Sequence, residues 1–330
     1  MERRKNTIWK FVGRFVLLYT IVYTIVALIF VNIQRTLPAA GRVALDFFEP
    51  YSLSFNETLA QVIIGAVMAL VLYPFSEMII KGKRGWLILF AALWGVALLG
   101  SLEPKPGTIE GMIYTETTVV EHLLVLAAGA VQVLFFSWLL LRWEKWSAGI
   151  SEITGRVTTE GLNIRGYASR FTLLHLLVYL MVGALFYQIS GYDEALATME
   201  MFELWRPMDN MIMVSAVFFG QIVRGAILAL LLLPFYSTYI NKKRGWLLLF
   251  GLLFGLKVLA TVISVPATSS EFIQGLHDSL TGLPEITTQT LIFASLFFIW
   301  ERKKNKKQQL SKSTGSPGGV NENEHQHGEV

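Results

Sequence analysis

Two cations stand inside long apolar runs of this chain, and each belongs to a polar stripe at helical spacing. Arg224 follows Gln221 at i, i+3, and Lys257 precedes Thr261 and Ser264 at i+4 and i+7, so each set shares one helix face. A third stripe, Glu285, Thr288 and Gln289, has a carboxylate at its head. A charge at the centre of a bilayer costs roughly 3 kcal/mol or more unless it meets a partner or water. Three chemistries follow. Structural ion pairs would join Glu57 to Arg224 and Glu285 to Lys257. A solute site or a coupled proton path would use the same groups, and snorkelling would carry the cations to the outer surface.

Neutral polar residues accompany these charges. Gln61 and Gln221 occupy corresponding places in two similar segments, as do Gln132 and Gln289. The matched glutamines offer hydrogen bonds without charge, while the two unmatched cations favour a small anionic or carboxylate-bearing solute. Glu121-His122 opens another apolar run and supplies the best acid/base pair for an intramembrane enzyme acting on lipid. His122, His175 and His277 show no converging spacing and no HExxH motif, and His325 and His327 make a weak metal pair at best. No metal and no cofactor is expected. The chain has no cysteine, which excludes thiolate nucleophiles and thiolate metal clusters. It also lacks a P-loop, a Gly-rich dinucleotide turn and a GxSxG elbow.

The elements that must position these residues are set by composition. Of 330 residues, 53% are hydrophobic and only 16% charged, against about 25% charged in ordinary soluble domains; the mean hydropathy is +0.51. The apolar residues fall in blocks of about 20, the length that crosses a ~30 Å hydrocarbon core. An all-α integral membrane protein is the expectation. The net charge of +4 does not point to nucleic acid, because the basic residues cluster at the ends of apolar blocks, where they act as topology signals. The first apolar run follows Arg3, Arg4 and Lys5 but is longer and more aromatic than a cleaved signal.

A repeat organises the blocks. Arg14-Phe15-Val16-Leu17-Leu18-Tyr19 reappears as Arg170-Phe171-Thr172-Leu173-Leu174-His175. Tyr73-Pro74-Phe75 and Lys83-Arg84-Gly85-Trp86 reappear as Leu233-Pro234-Phe235 and Lys243-Arg244-Gly245-Trp246, and Trp143-Glu144 as Trp300-Glu301. The reading is eight transmembrane helices in two four-helix repeats, residues 1–143 and 168–303, with a cytoplasmic linker at 144–167 and a disordered cytoplasmic tail at 304–330. Every second connection is basic, which places both termini inside. An even number of spans per unit makes the repeats parallel, related by a pseudo-two-fold along the membrane normal.

Smaller features have packing readings. The Lys-Arg-Gly-Trp elements anchor helices at the interface, and Pro74 and Pro234 predict kinks. Gly251 and Gly255, echoed by Ala91 and Gly95, predict a close seam between the third and seventh spans or within one unit. Glu103 to Gly111 reads as an outer loop that caps its unit and gates the cavity, and Glu194 to Trp205 as a surface helix. The function expected is a small-solute or ion permease of the cell membrane. Its outward-facing polar cavity would lie between the repeats, lined by Gln61, Gln132, Gln221, Arg224, Lys257, Glu285 and Gln289. The alternatives are a non-transporting subunit, sensor or scaffold of a larger complex, and the lipid enzyme. Membrane lipid, a protein partner or a second copy are the expected associations.

Overall fold

The structure is a computed structural model, and it describes residues 2–38, 53–96, 99, 106–148, 162–190, 192, 194, 205–206, 211–259 and 269–314. The main helices are α1 (Glu2–Thr36), α2 (Phe55–Lys81), α3 (Gly85–Gly95), α4 (Ile109–Tyr114), α5 (Val119–Ala148), α6 (Ile164–Ile189), α7 (Met211–Ile240), α8 (Gly245–Phe250, continuing to Leu259) and α9 (Ser269–Thr314). Six helices among the described residues, α1, α2, α5, α6, α7 and the Gly282–Lys307 part of α9, are long and apolar enough to cross a membrane. Two shorter apolar helices accompany them, Gly85–Gly95 and Gly245–Leu256.

Side-chain partition follows helix faces, with apolar residues on both sides. On α1, Phe11, Val12, Phe15 and Val22 are buried, while Leu17, Ile21, Ile25 and Leu28 are exposed. On α6, Tyr167, Phe171, Leu174, Val178 and Val182 point inward, and Leu173, Leu177, Met181 and Leu185 outward. A helix apolar all round is stable in lipid, where no polar face is required.

Residues that match in sequence make matching contacts. α1 packs on α2 and α5, and α6 packs on α7 and α9. Arg14 pairs with Glu144 at 3.1 Å, and Arg170 pairs with Glu301 at 2.5 Å. The chain winds as a 3₁₀ turn at Tyr73–Phe75 and again at Leu233–Phe235, where each proline lacks the N–H that a continuous α-helix would use. It then turns π-helical at Ala91–Gly95 and at Gly251–Leu259.

The two halves interlock by exchanging elements. α2 packs on the π-helical end of α8, and α7 packs on that of α3. Gly95 lies so close to α7 that a Cβ there would sit 2.7 Å from Leu231 Cδ1, and a Cβ on Gly255 would overlap Val71. Phe75 and Phe235 meet edge to face, with centroids 5.1 Å apart. This corrects the expected small-residue seam. Gly251 has no side chain near it, so only Gly255 of that pair admits a close neighbour, and the neighbour is α2 of the other half. α5 runs through Ala148 and α9 through Thr314.

Candidate functional site

A cavity of about 680 Å³ opens among α6, α7, α9 and α4, within the range usual for small-molecule sites. Its walls come chiefly from the C-terminal half; the N-terminal half contributes Val96, Leu99, Glu110 and Tyr114. The cavity therefore sits chiefly among the C-terminal helices, with α4 of the other half laid across it.

Local chemistry places α4 there. Gly107 has φ +84°, the left-handed region that glycine enters without a Cβ penalty, and its N–H donates to His122 Nδ1 at 2.8 Å. Because Nδ1 accepts, the ring proton sits on Nε2, which meets Thr117 Oγ1. The Thr108 side chain caps α4 by accepting from Gly111 N–H at 2.8 Å. At the other end, the Arg206 N–H donates to the Tyr114 carbonyl at 2.7 Å, and Trp205 stacks on Tyr114 with centroids 5.4 Å apart. Gly220 gives α4 its seat on α7, since a Cβ there would overlap Ile113.

That seat brings Glu110 to Arg224. The guanidinium Nη1 donates to Glu110 Oε1 and, at 3.2 Å, to Gln221 Oε1. The side chains are 8% and 9% exposed, which makes this a buried ion pair. The expected partner of Arg224, Glu57, is replaced for a topological reason: α2 lies against α1 and α8, whereas α7 lies against α6 and α4. Glu57 instead stands in the first turn of α2, its N–H bonded to Ser54 Oγ at 3.2 Å.

Around the pair, the Tyr114 and Tyr179 hydroxyls meet at 2.6 Å, and His175 Nε2 lies 3.4 Å from Gln221 Oε1. Burial raises the Tyr114 phenol above its ordinary pKa, opposed by its bond to Tyr179. Two buried donors keep no partner, Arg224 Nε and Gln221 Nε2. Further along the wall, Glu285 accepts from Tyr192 Oη and from Gln289 Nε2 at 2.7 Å. Tyr192 is likewise pushed up, first by burial and then by its bond to the carboxylate. Tyr187 stacks parallel to Tyr192 with centroids 6.3 Å apart.

Of the residues expected to line a site, Gln221, Arg224, Glu285 and Gln289 are thus gathered at this cavity or against it. Gln61 and Gln132 are not among its walls: Gln61 is buried on α2 with its Oε1 unpartnered, and Gln132 is half-buried on α5. The Lys257 side chain, and with it the expected Glu285 pairing, lies outside the described residues. Glu121 and His122 have other work. Glu121 Oε2 accepts from the Thr118 N–H at 2.7 Å and from its hydroxyl at 2.6 Å, a capping box that starts α5, while His122 secures the Gly107 turn. Neither is a wall of the cavity.

Sequence reasoning missed Glu110, Tyr179, Tyr192 and the role of His175. Only the last carried a signal, a polar ring where the matching segment has Tyr19. Comparisons with protein-family models, curated proteins and solved structures find no match.

Proposed function

We propose that this chain is a permease of the cell membrane that admits a small solute to the cavity over α6, α7 and α9. In this reading eight spans form two parallel four-helix units, the basic ends of the helices face the cytoplasm, and the cavity opens outward. The duplicated ion pairs and the exchange of α2 and α7 between halves support the two-unit arrangement, and the Lys and Arg residues concentrated at every second connection of the sequence support the orientation.

The observation that carries the functional reading is the pair of orphaned donors. Arg224 Nε and Gln221 Nε2 are buried beside a cavity of about 680 Å³ without an acceptor. A buried donor left unmade costs about 1–3 kcal/mol; Arg224 lines the cavity, and a small rotation of its guanidinium would offer Nε to an oxygen acceptor there. Arg224 is already neutralised by Glu110, so the solute need only offer an acceptor there; it need not be the anion expected from sequence.

The test is flux. Purified protein in proteoliposomes, screened with small organic ions and polar neutral solutes by radiolabel uptake, should pass at least one class. Gly183→Leu should abolish that flux, because a Cβ on Gly183 already lies 3.5 Å from Glu285 Oε1 and a leucine fills the space beyond. Flux that persists in folded Gly183→Leu protein, or no flux for any class, overturns the reading. Co-purification of a stable partner with no flux would install the scaffold reading instead.

A further inference from the structure

Two carboxylates, Glu110 and Glu285, share the cavity with one guanidinium, Arg224. Arg224 is committed to Glu110. Among the described residues Glu285 has no cationic partner; its two bonds come from neutral donors, Tyr192 and Gln289. The remaining titratable side chains on the wall are His175, which faces Gln221, and the phenols of Tyr114, Tyr179, Tyr187 and Tyr192. The described side chains thus place one more carboxylate than guanidinium on the wall of a cavity that is otherwise mainly aliphatic and aromatic.

We infer that the solute is a monovalent organic cation, an ammonium-type head on an apolar body, with the head at Glu285 and the body along the aromatic wall. This inference rests on the permease reading and names its substrate class. Three further observations carry it. Gly183 leaves open space directly against Glu285 Oε1 and Gln289 Nε2, so the carboxylate is reachable from the cavity. The parallel rings of Tyr187 and Tyr192 stand beside it, with Trp205 and Phe293 also on the wall, and aromatic faces attract cations within about 6 Å. Val178, Leu228 and Leu253 supply an apolar surface that a small, fully hydrated metal ion would not use.

Tetraphenylphosphonium and tetraphenylborate, matched in shape and opposite in charge, are the probes. Binding of labelled tetraphenylphosphonium to the purified full chain in detergent should saturate, and labelled tetraphenylborate, measured in a separate sample, should show no saturable binding. Glu285→Gln should weaken phosphonium binding at least about ten-fold, since neutralising a partner of a desolvated cation forfeits that much or more. Glu285→Asp should retain it within a few-fold, and Gly183→Leu should remove it with the carboxylate still in place. Absence of saturable phosphonium binding, equal saturable binding of the borate in its own sample, or an unchanged affinity in Glu285→Gln overturns the inference. The two readings fail separately. Saturable cation binding without uptake in proteoliposomes retires the permease and keeps the cation site, whereas uptake of other solutes without cation binding does the reverse.

Discussion

Removing the charge from Glu110 should destabilise the protein by about 3–5 kcal/mol, because it leaves Arg224 as an uncompensated buried charge. The figure for buried pairs applies because the two side chains are 8% and 9% exposed; an exposed pair would contribute only about 0–1 kcal/mol. Glu110→Gln isolates the effect, since it keeps shape and one acceptor while deleting the charge. A loss of 3 kcal/mol lowers the folding equilibrium constant about 150-fold. Arg224→Met should cost a similar amount, through the stranded carboxylate and the lost bond to Gln221. Replacing both together should come within about 1–2 kcal/mol of the wild type, since an apolar or neutral pair of similar volume substitutes for a buried ion pair at little cost. Unfolding of the purified chain by transfer from mild detergent into dodecyl sulfate measures this through tryptophan fluorescence, with Trp205 reporting from its stack on Tyr114. The reasoning is refuted if Glu110→Gln costs under about 1 kcal/mol, or if the double variant is as unstable as the sum of the singles.

Gly255→Ala should destabilise by about 1–3 kcal/mol, and more than Gly95→Ala. The Cβ of the former overlaps a short, branched Val71 side chain, and that of the latter meets the far end of Leu231; a Val71→Ala partner should rescue the first and not the second in the same assay. Glu301→Gln should cost more than Glu144→Gln, because Glu301 is fully buried and also accepts from Tyr236 at 2.9 Å, whereas the Glu144 side chain is 10% exposed; equal midpoints would contradict the burial argument. His122→Phe should strand the Gly107 N–H, costing about 1–3 kcal/mol, and should speed proteolysis between residues 106 and 118; an unchanged cleavage rate would show that the His122 bonds do not hold the turn.

The spans were legible because length and hydropathy are properties of a string. α1, α2, α5, α6 and α7 follow their apolar runs, and Pro74 and Pro234 mark where the helix winding changes. Partner choice was less legible. Arg14 and Glu144 both sit in matched segments, yet the string does not say that α1 lies against α5 at that level. Glu110 looks like one acid among several in an outer connection, and its value as the partner of Arg224 comes from a six-residue helix seated on Gly220. Likewise, a Gly-xxx-Gly spacing specifies that a close approach is permitted. Which helix approaches depends on a π-helical register that no local pattern announces.

The site's one-sidedness follows from what covers each of two helices matched in sequence. Ile64 is buried on α2 where α7 carries Arg224, and Tyr19 lies by Gly65 where His175 lies by Gly225. A guanidinium is tolerated on α7 because α4 delivers a carboxylate to it; α2 has a different neighbour, the end of α8. Ile64→Arg tests that argument. If the acid and not the helix position is what admits the cation, this variant should lose about 3–5 kcal/mol, although arginine already occupies the corresponding place on α7. A small loss would mean that the α2 site can borrow a partner or reach water. Polarity would then be cheap in both halves, and the buried pair at Arg224 would no longer account for the cavity forming where it does.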